Sequence, residues 1–423
     1  MFGWEFPPHI SGGLGTACFG LTHGLAKHGV EMIFVVPKAY GDEDQSSIRL
    51  VPAEDIDVGH STTELEEFWK KISYLEVDSN LIPYVGQEEF EKLLSETVPD
   101  GVEVNTSSST RKFRFTGKYG KDLMKEVSRY AITAASIAAK EKFDVIHAHD
   151  WLTYLAGISA KIISGKPLVV HVHATEFDRS GENVNQAVYD IERQGMQRAD
   201  KVIAVSNLTR NIVIQRYGIP EEKVVTVHNA VDFSSHTDIS VDKNQIPEKI
   251  VTFLGRITYQ KGPDYFVEAA NKVIKKYPNV RFVMAGSGDM LNRMIRRAAE
   301  LGITNKFHFT GFLKGQDVNR MFALSDVYVM PSVSEPFGIS PLEAMRSNVP
   351  VIISKQSGVA EILRHALKVD FWDVDAMADC IYGLLNYEAL SKYFIRHGQA
   401  EVDSLKWENA AWEVKEVYRE VLR

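Results

Sequence analysis

Short runs rich in Val, Ile and Leu alternate with helically spaced stretches along almost the whole chain. A run that is apolar at every position marks a strand buried on both faces, and such strands belong to parallel sheets covered by helices. In the first half these runs are Met32–Val36, Asp144–Ala148, Leu168–Val172, Lys201–Val205 and Val224–Val227. The pattern restarts with Lys249–Leu254, Arg281–Ala285, Lys306–Thr310, Val327–Met330 and Val351–Ile353. Between the two series, Asp232–Pro247 is polar and without periodicity, which reads as an interdomain connection. The 423 residues exceed what one ordinary core holds. The expected fold class is α/β, with two Rossmann-like domains over residues 1–232 and 248–400 and a closing segment over 401–423.

Two stretches depart from the alternation. Residues 41–119 are an excursion from the first domain, including the polar run Asn105–Thr110; a structureless loop of that length is not expected, so part of it should form a small hairpin and helices on the first domain. The closing segment Trp407–Leu422 is a patterned helix with Trp407, Ala411, Val414, Val417 and Val421 on one face. Met1–Trp4 is short for a first strand, as in a chain that continues upstream.

Composition narrows the function classes. Apolar residues at 44% and charged residues at 25% suit a soluble globular protein. No run of about 18 uninterrupted apolar residues occurs, so no integral membrane segment is expected. The N-terminus carries no basic segment followed by an apolar core, so no secretory signal is expected. The two cysteines, Cys18 and Cys380, form no CxxC pair and fit a reducing, cytoplasmic setting. A net charge of −8 argues against nucleic acid as a partner. Arg293, Arg296 and Arg297 within Met290–Leu301 form the one basic helical stretch of note, and they read as a solvated face.

The chemistry-bearing residues sit where strands end. Ser11-Gly12-Gly13-Leu14-Gly15 opens the helix Thr16–His28, where glycines let backbone approach a ligand and helix amides face an anion; a tight turn without ligand would look the same. The spacing is not the dinucleotide fingerprint GxGxxG. His147-Ala-His149-Asp150 and His171-Val-His173 both end buried strands, with each histidine pair on one strand face. They read either as cleft residues, as core packing (His147 and His171), or as half of a metal-hydrolase site whose remaining ligands are not evident. Gly255-Arg256-Ile257-Thr258-Tyr259-Gln260-Lys261-Gly262 follows the first strand of the second domain. Two permanent cations at such a turn suit a diphosphate, with a surface ion pair as the alternative. In Glu335-Pro336-Phe337-Gly338-Ile339-Ser340-Pro341-Leu342-Glu343 one carboxylate precedes a helix starting near Ile339 and the second lies one turn inside it. The amides of Phe337, Gly338 and Ile339 then face an anion.

These motifs resemble the GT-B glycosyltransferases of families 4 and 5, glycogen and starch synthases in particular. The resemblance runs through SGGLG, DVIHAHDW, VHATEFD, HNAVD, LGRITYQKG, the two glutamates spaced by seven residues, SGVAEIL and the closing helix. Ile10 and Thr16 stand where bacterial-type synthases have Lys and often Asp, which turns the resemblance toward family 4. It implies two Rossmann-like domains facing across a cleft, with the closing helix crossing back to the first. It further implies a retaining transfer of a hexose from UDP- or ADP-glucose to an acceptor, an α-1,4-glucan for a glycogen synthase, with no metal or other cofactor. Arg256 and Lys261 would bind the donor diphosphate, with Gly12, Gly13, Phe337, Gly338 and Ile339 around the donor. Glu343 would hold the ribose, Glu335 the transferred sugar, His173 would sit against that sugar, and Asp150 would lie near the acceptor side. The rivals are transfer to a lipid or small-sugar acceptor, a noncatalytic nucleotide-sugar binder or epimerase of the same fold, a glycosidase using Glu335 and Glu343, and a zinc hydrolase using the HxH pairs.

Overall fold

The computed structural model describes residues 1–9, 13–58, 112–119, 123–231 and 246–423. Gly12, the run Asn105–Thr110, most of the 41–119 excursion and most of the Asp232–Pro247 connection lie outside the described residues. In chain order the first half comprises α1 (Gly13–Lys27), β1 (Ile33–Val36), β2 (Arg49–Pro52), α2 (Leu123–Lys140), β3 (Ile146–His149), α3 (Trp151–Ser164), β4 (Leu168–Val172), α4 (Glu176–Ser180), α5 (Gln186–Arg198), β5 (Lys201–Ala204), α6 (Asn207–Tyr217) and β6 (Val224–Thr226). The second comprises β7 (Lys249–Leu254), α7 (Pro263–Lys276), β8 (Val280–Ala285), α8 (Leu291–Glu300), β9 (Phe307–Gly311), α9 (Gln316–Leu324), β10 (Val327–Met330), α10 (Ser340–Arg346), β11 (Val351–Ser354), α11 (Val359–Ile362), β12 (Leu367–Val369), α12 (Val374–Asn386), α13 (Glu388–Val402) and α14 (Trp407–Val421).

All the predicted strands form, with ends shifted by at most two residues. Pairing is parallel throughout, in the orders β3-β4-β5-β6, β1-β2 and β12-β11-β10-β7-β8-β9. The N-terminal residues complete the first sheet: Phe2 bridges Val35 on one side and Ala148 on the other, with its amide donating to the His147 carbonyl at 2.7 Å. Met1–Trp4 is thus long enough to supply the linking strand. The strands that sequence reasoning passed over, β2 and β12, lie at sheet edges. Edge strands are wetted on one side, and Arg49-Leu-Val-Pro52 and Leu367-Lys-Val369 carry no continuous apolar run to reveal them.

β3, β4, β10 and β11 are buried at every residue, because helices cover both sheet faces. α14 packs on α1, where Gly20 and Gly24 let it approach: a Cβ at Gly20 would lie 2.1 Å from the Trp407 indole. Each sheet has one point where the chain order reverses, beside residues 1–3 in the first and between β7 and β10 in the second. Ligand crevices in open α/β sheets form outside the carboxyl ends of strands at such points. Contacts across the halves bring those ends together. Ser334 donates to Asp178 at 2.5 Å, Thr209 to the Pro336 carbonyl at 3.5 Å, and a Cβ on Gly13 would come within 4.0 Å of Ile339.

Candidate active site

The second-half wall is built by two loops pressed together. Residues 255–258 follow β7, residues 286–290 follow β8, and the Ile257 amide donates to the Ser287 carbonyl at 2.9 Å. Gly286 (φ 143°) is required here, since a Cβ would stand 1.9 Å from the Gly255 carbonyl oxygen. Sequence reasoning did not single out this Gly286-Ser-Gly288 turn, although two glycines after a buried strand were the available signal. The loop after β7 continues through a 3-10 turn, Tyr259–Lys261, ended by Gly262 (φ 63°), which leads into α7 with Pro263 at its first position. That turn aims Lys261 inward, where its Nζ pairs with the buried Glu335 carboxylate. Arg256 stays exposed, and its one side-chain hydrogen bond among the described residues runs from Nη2 to Gln260 Oε1 at 3.4 Å.

Glu335 stands after β10. Its second contact is the Ser332 hydroxyl at 3.2 Å, and its backbone is stapled to the segment after β11 by Glu335 N–H to the Gln356 carbonyl (3.0 Å) and Gly358 N–H to the Glu335 carbonyl (2.9 Å). The Val359 amide donates to the Phe337 carbonyl at 2.7 Å. The turn Glu335–Ile339 is therefore rigid before the helix begins. No acceptor among the described residues takes the Gly338 or Ile339 amide. Glu343, on the first turn of α10, is half-buried and its carboxyl has no hydrogen-bond partner among the described residues. Burial without compensation pushes it up to about 7.

The first-half wall carries a cluster of histidines. His147, His149 and His171 are buried, and their rings stack with His173, neighbouring centroids lying 4.2–5.4 Å apart. His149 thus joins His147 and His171 in the core. Among the four, His173 is the partly exposed one. Its Nε2 lies 3.1 Å from His149 Nδ1, and burial lowers it to about 3, so it is a neutral imidazole at pH 7. His147 Nδ1 meets the Tyr418 hydroxyl of α14 at 2.5 Å.

The structure gives Asp150 a positioning task. Its Oδ1 accepts from the backbone amides of His173 (2.7 Å) and Ala174 (3.3 Å), so this carboxylate holds the loop that carries His173. Asp150 has φ 60° and ψ 169°, a region costly for any residue with a Cβ. Burial raises its carboxyl to about 6, against the opposing pull of the Arg179 guanidinium and the two amides. Arg179 is itself paired with Glu176 (3.0 Å) and Glu192 beneath the site.

Of the predicted site residues, the structure brings Arg256, Lys261, Glu335, Phe337, Gly338, Ile339 and Glu343 to the second-half crevice, and Gly13, Asp150 and His173 to the opposite wall. Across the gap, Glu361 of α11 accepts from the first two amides of α6, Asn207 (2.9 Å) and Leu208 (2.7 Å), and faces His228 Nε2 at 2.8 Å. Asp178, Ser334 and Glu361 were not identified from sequence, because each is one polar residue among many and its partner lies more than 130 residues away.

Two family models cover most of the chain: "Glycosyl transferases group 1" matches residues 237–401 and "Glycosyltransferase Family 4" residues 107–235. An uncharacterized glycosyltransferase of Methanocaldococcus jannaschii is 28% identical over 99% of this chain and 97% of its own length. A glycogen synthase of Mycobacterium tuberculosis is 22% identical, covering 99% of this chain and 93% of that one. Among solved structures, a sucrose-phosphate synthase from Thermosynechococcus elongatus superposes with a TM-score of 0.69 at 17% identity, over 97% of this chain and 94% of the other.

Proposed function

We propose that this chain, which belongs to the GT-B glycosyltransferases of families 4 and 5, moves glucose from UDP- or ADP-glucose to the growing end of an α-1,4-glucan with retention at the anomeric carbon. The observation that carries the reading is the pairing of half-buried Lys261 with buried Glu335, beside exposed Arg256 and the Gly338 and Ile339 amides, which no acceptor among the described residues takes, opposite neutral His173. Two cations and free amides suit a diphosphate, and an uncharged imidazole suits a sugar hydroxyl.

In this reading the donor lies with its diphosphate on Arg256 and Lys261, its ribose on Glu343, and its sugar between Glu335 and His173. The acceptor oxygen attacks the anomeric carbon on the face from which the diphosphate leaves. One C–O bond forms as the other breaks, and the acceptor proton passes to the departing diphosphate oxygen. Negative charge growing there is stabilised by cations fixed before the reaction, which makes their contribution larger than in water. Asp150 is a positioning residue, acting through the His173 loop. The same cations remove the need for a divalent metal.

The glucan acceptor draws on the motif resemblance and on the glycogen synthase relative that spans nearly the whole chain. No helix among the described residues is long and apolar enough to cross a membrane, and two free thiols, Cys18 and Cys380, fit a cytoplasmic setting. The test is a screen of UDP- and ADP-glucose against glycogen and short maltooligosaccharides, read as nucleoside diphosphate release and labelled product. Glucan elongation with either donor is the expected result. Label entering only a lipid or a small sugar would replace the glucan, and donor bound without any transfer would overturn the enzyme reading.

A further inference from the structure

Three side chains from three elements converge behind the donor crevice. Cys18 projects from α1, His149 ends β3, and His173 follows β4. The Cys18 sulfur and one ring nitrogen from each histidine lie within 4.8 Å of one another. Cys18 and His149 are fully buried, while His173 opens to the cleft. His149 Nδ1 and His173 Nε2 face each other at 3.1 Å. Tetrahedral zinc, with Zn–N near 2.0–2.1 Å, separates two nitrogen ligands by about 3.3 Å, so the existing spacing is close to a ligating one. The outer nitrogen of His149, Nε2, is buried and has no partner among the described residues.

We propose that Cys18, His149 and His173 form a binding site for one borderline-soft divalent cation of the zinc class, with the fourth position open to the cleft. A thiolate with two imidazoles selects such a metal over magnesium or calcium, which take oxygen ligands. The cluster His9, Asp42 and Glu43 does not compete: it is largely exposed, and Glu43 is already bonded to the Tyr40 and Gly41 amides at 2.7 and 2.9 Å. The stacked set His147, His149 and His171 has no opening, and His147 is taken by Tyr418. Binding breaks the Cys18 S–H bond, the proton leaves to buffer, and the sulfur lone pair forms the metal bond. Each imidazole stays neutral and donates a lone pair. The N–H between the two rings therefore relocates to an outer nitrogen, which for His149 is the unpartnered Nε2.

One consequence rests on the functional reading above. If His173 touches the donor sugar, a metal there competes with the donor, so zinc inhibits an enzyme that needs no metal for turnover.

Cobalt(II) titrated into the full chain under a phosphine reductant is the probe. Expected is one equivalent bound with tetrahedral d–d bands and a sulfur-to-cobalt charge-transfer band, displaced by zinc. C18A and C18S should both abolish the charge-transfer band and weaken zinc by at least about tenfold. C380S should change neither, and H173A should weaken zinc while retaining the sulfur band. The zinc-induced rise in melting temperature should vanish in C18A, which also reports whether that variant is folded. A sulfur band surviving in C18A, or an octahedral spectrum with no sulfur band, overturns the site. Zinc bound with all these signatures but without effect on donor affinity upholds the site and overturns the contact between His173 and the donor sugar.

Discussion

The two walls of the cleft are built at equivalent places, the carboxyl ends of parallel strands, yet they carry different electrostatics. The second-half wall keeps charge available: Arg256 is exposed, Lys261 is paired with the single carboxylate of Glu335, and the Glu343 carboxyl has no partner among the described residues. The first-half wall commits its polar groups within the fold. Its histidines are uncharged through burial, and Asp150 is committed to backbone amides. The difference teaches that a diphosphate and a sugar make different demands. An anion needs charges fixed in advance, whereas a neutral sugar needs donors and acceptors whose cost of burial is already met by the fold.

The comparison is tested most severely at Lys261. K261A removes a cation from the charged wall and should lower kcat on the order of 10²-fold, as removal of one preorganised contact to developing charge does; it also leaves the buried Glu335 carboxylate without its cation and should lower the melting temperature. Steady-state kinetics beside a thermal melt check this, and a loss below about tenfold would show that the charged wall is not the catalytic one.

The first-half wall should respond through the fold. D150A leaves the His173 and Ala174 amides without their acceptor and should destabilise the chain by about 1–3 kcal/mol, while D150N retains an oxygen at the same place and should cost less. Denaturant titration of the two variants separates them. Equal stabilities, with activity lost in both, would make Asp150 a group that meets substrate instead.

Glu343 sharpens the comparison through pH. Its folded carboxyl holds its proton up to about 7, above the usual glutamate range, so it contributes less stability as pH rises from about 4.5 through 7. The ionised form is the acceptor for ribose hydroxyls. Nucleoside diphosphate affinity should therefore fall by up to about tenfold per pH unit below 7, and E343Q should flatten that limb. E335Q should instead lower kcat with nucleotide affinity held within a few-fold. Calorimetric titration between pH 6 and 8.5 measures both, and an unchanged slope in E343Q would remove Glu343 from the ribose site.

The smallest expected effect is that of chelation. With Arg256 and Lys261 holding the diphosphate, excess EDTA should leave turnover nearly unchanged; a loss restored by Mg²⁺ or Mn²⁺ would mean that the cations of the charged wall are insufficient.

The sequence by itself determined the buried strands, the restart of the α/β pattern after residue 247 and the charged wall. Arg256 to Lys261 and Glu335 to Glu343 are each one local segment at a strand end, so spacing alone carries their geometry. Periodicity reports how much of a segment is buried, not what it is buried against. Only the tertiary structure could set Asp150 against the His173 amide, Ser334 on Asp178 and Glu361 from the other half on the start of α6, and place Cys18 beside His149 and His173. The edge strands β2 and β12 were hidden for a related reason, because their order comes from a neighbouring strand and not from their own apolar pattern. Each of these contacts joins residues distant in sequence, and a hydrogen bond or ligand set of that kind exists only once the packed sheets have brought its partners within about 3–5 Å.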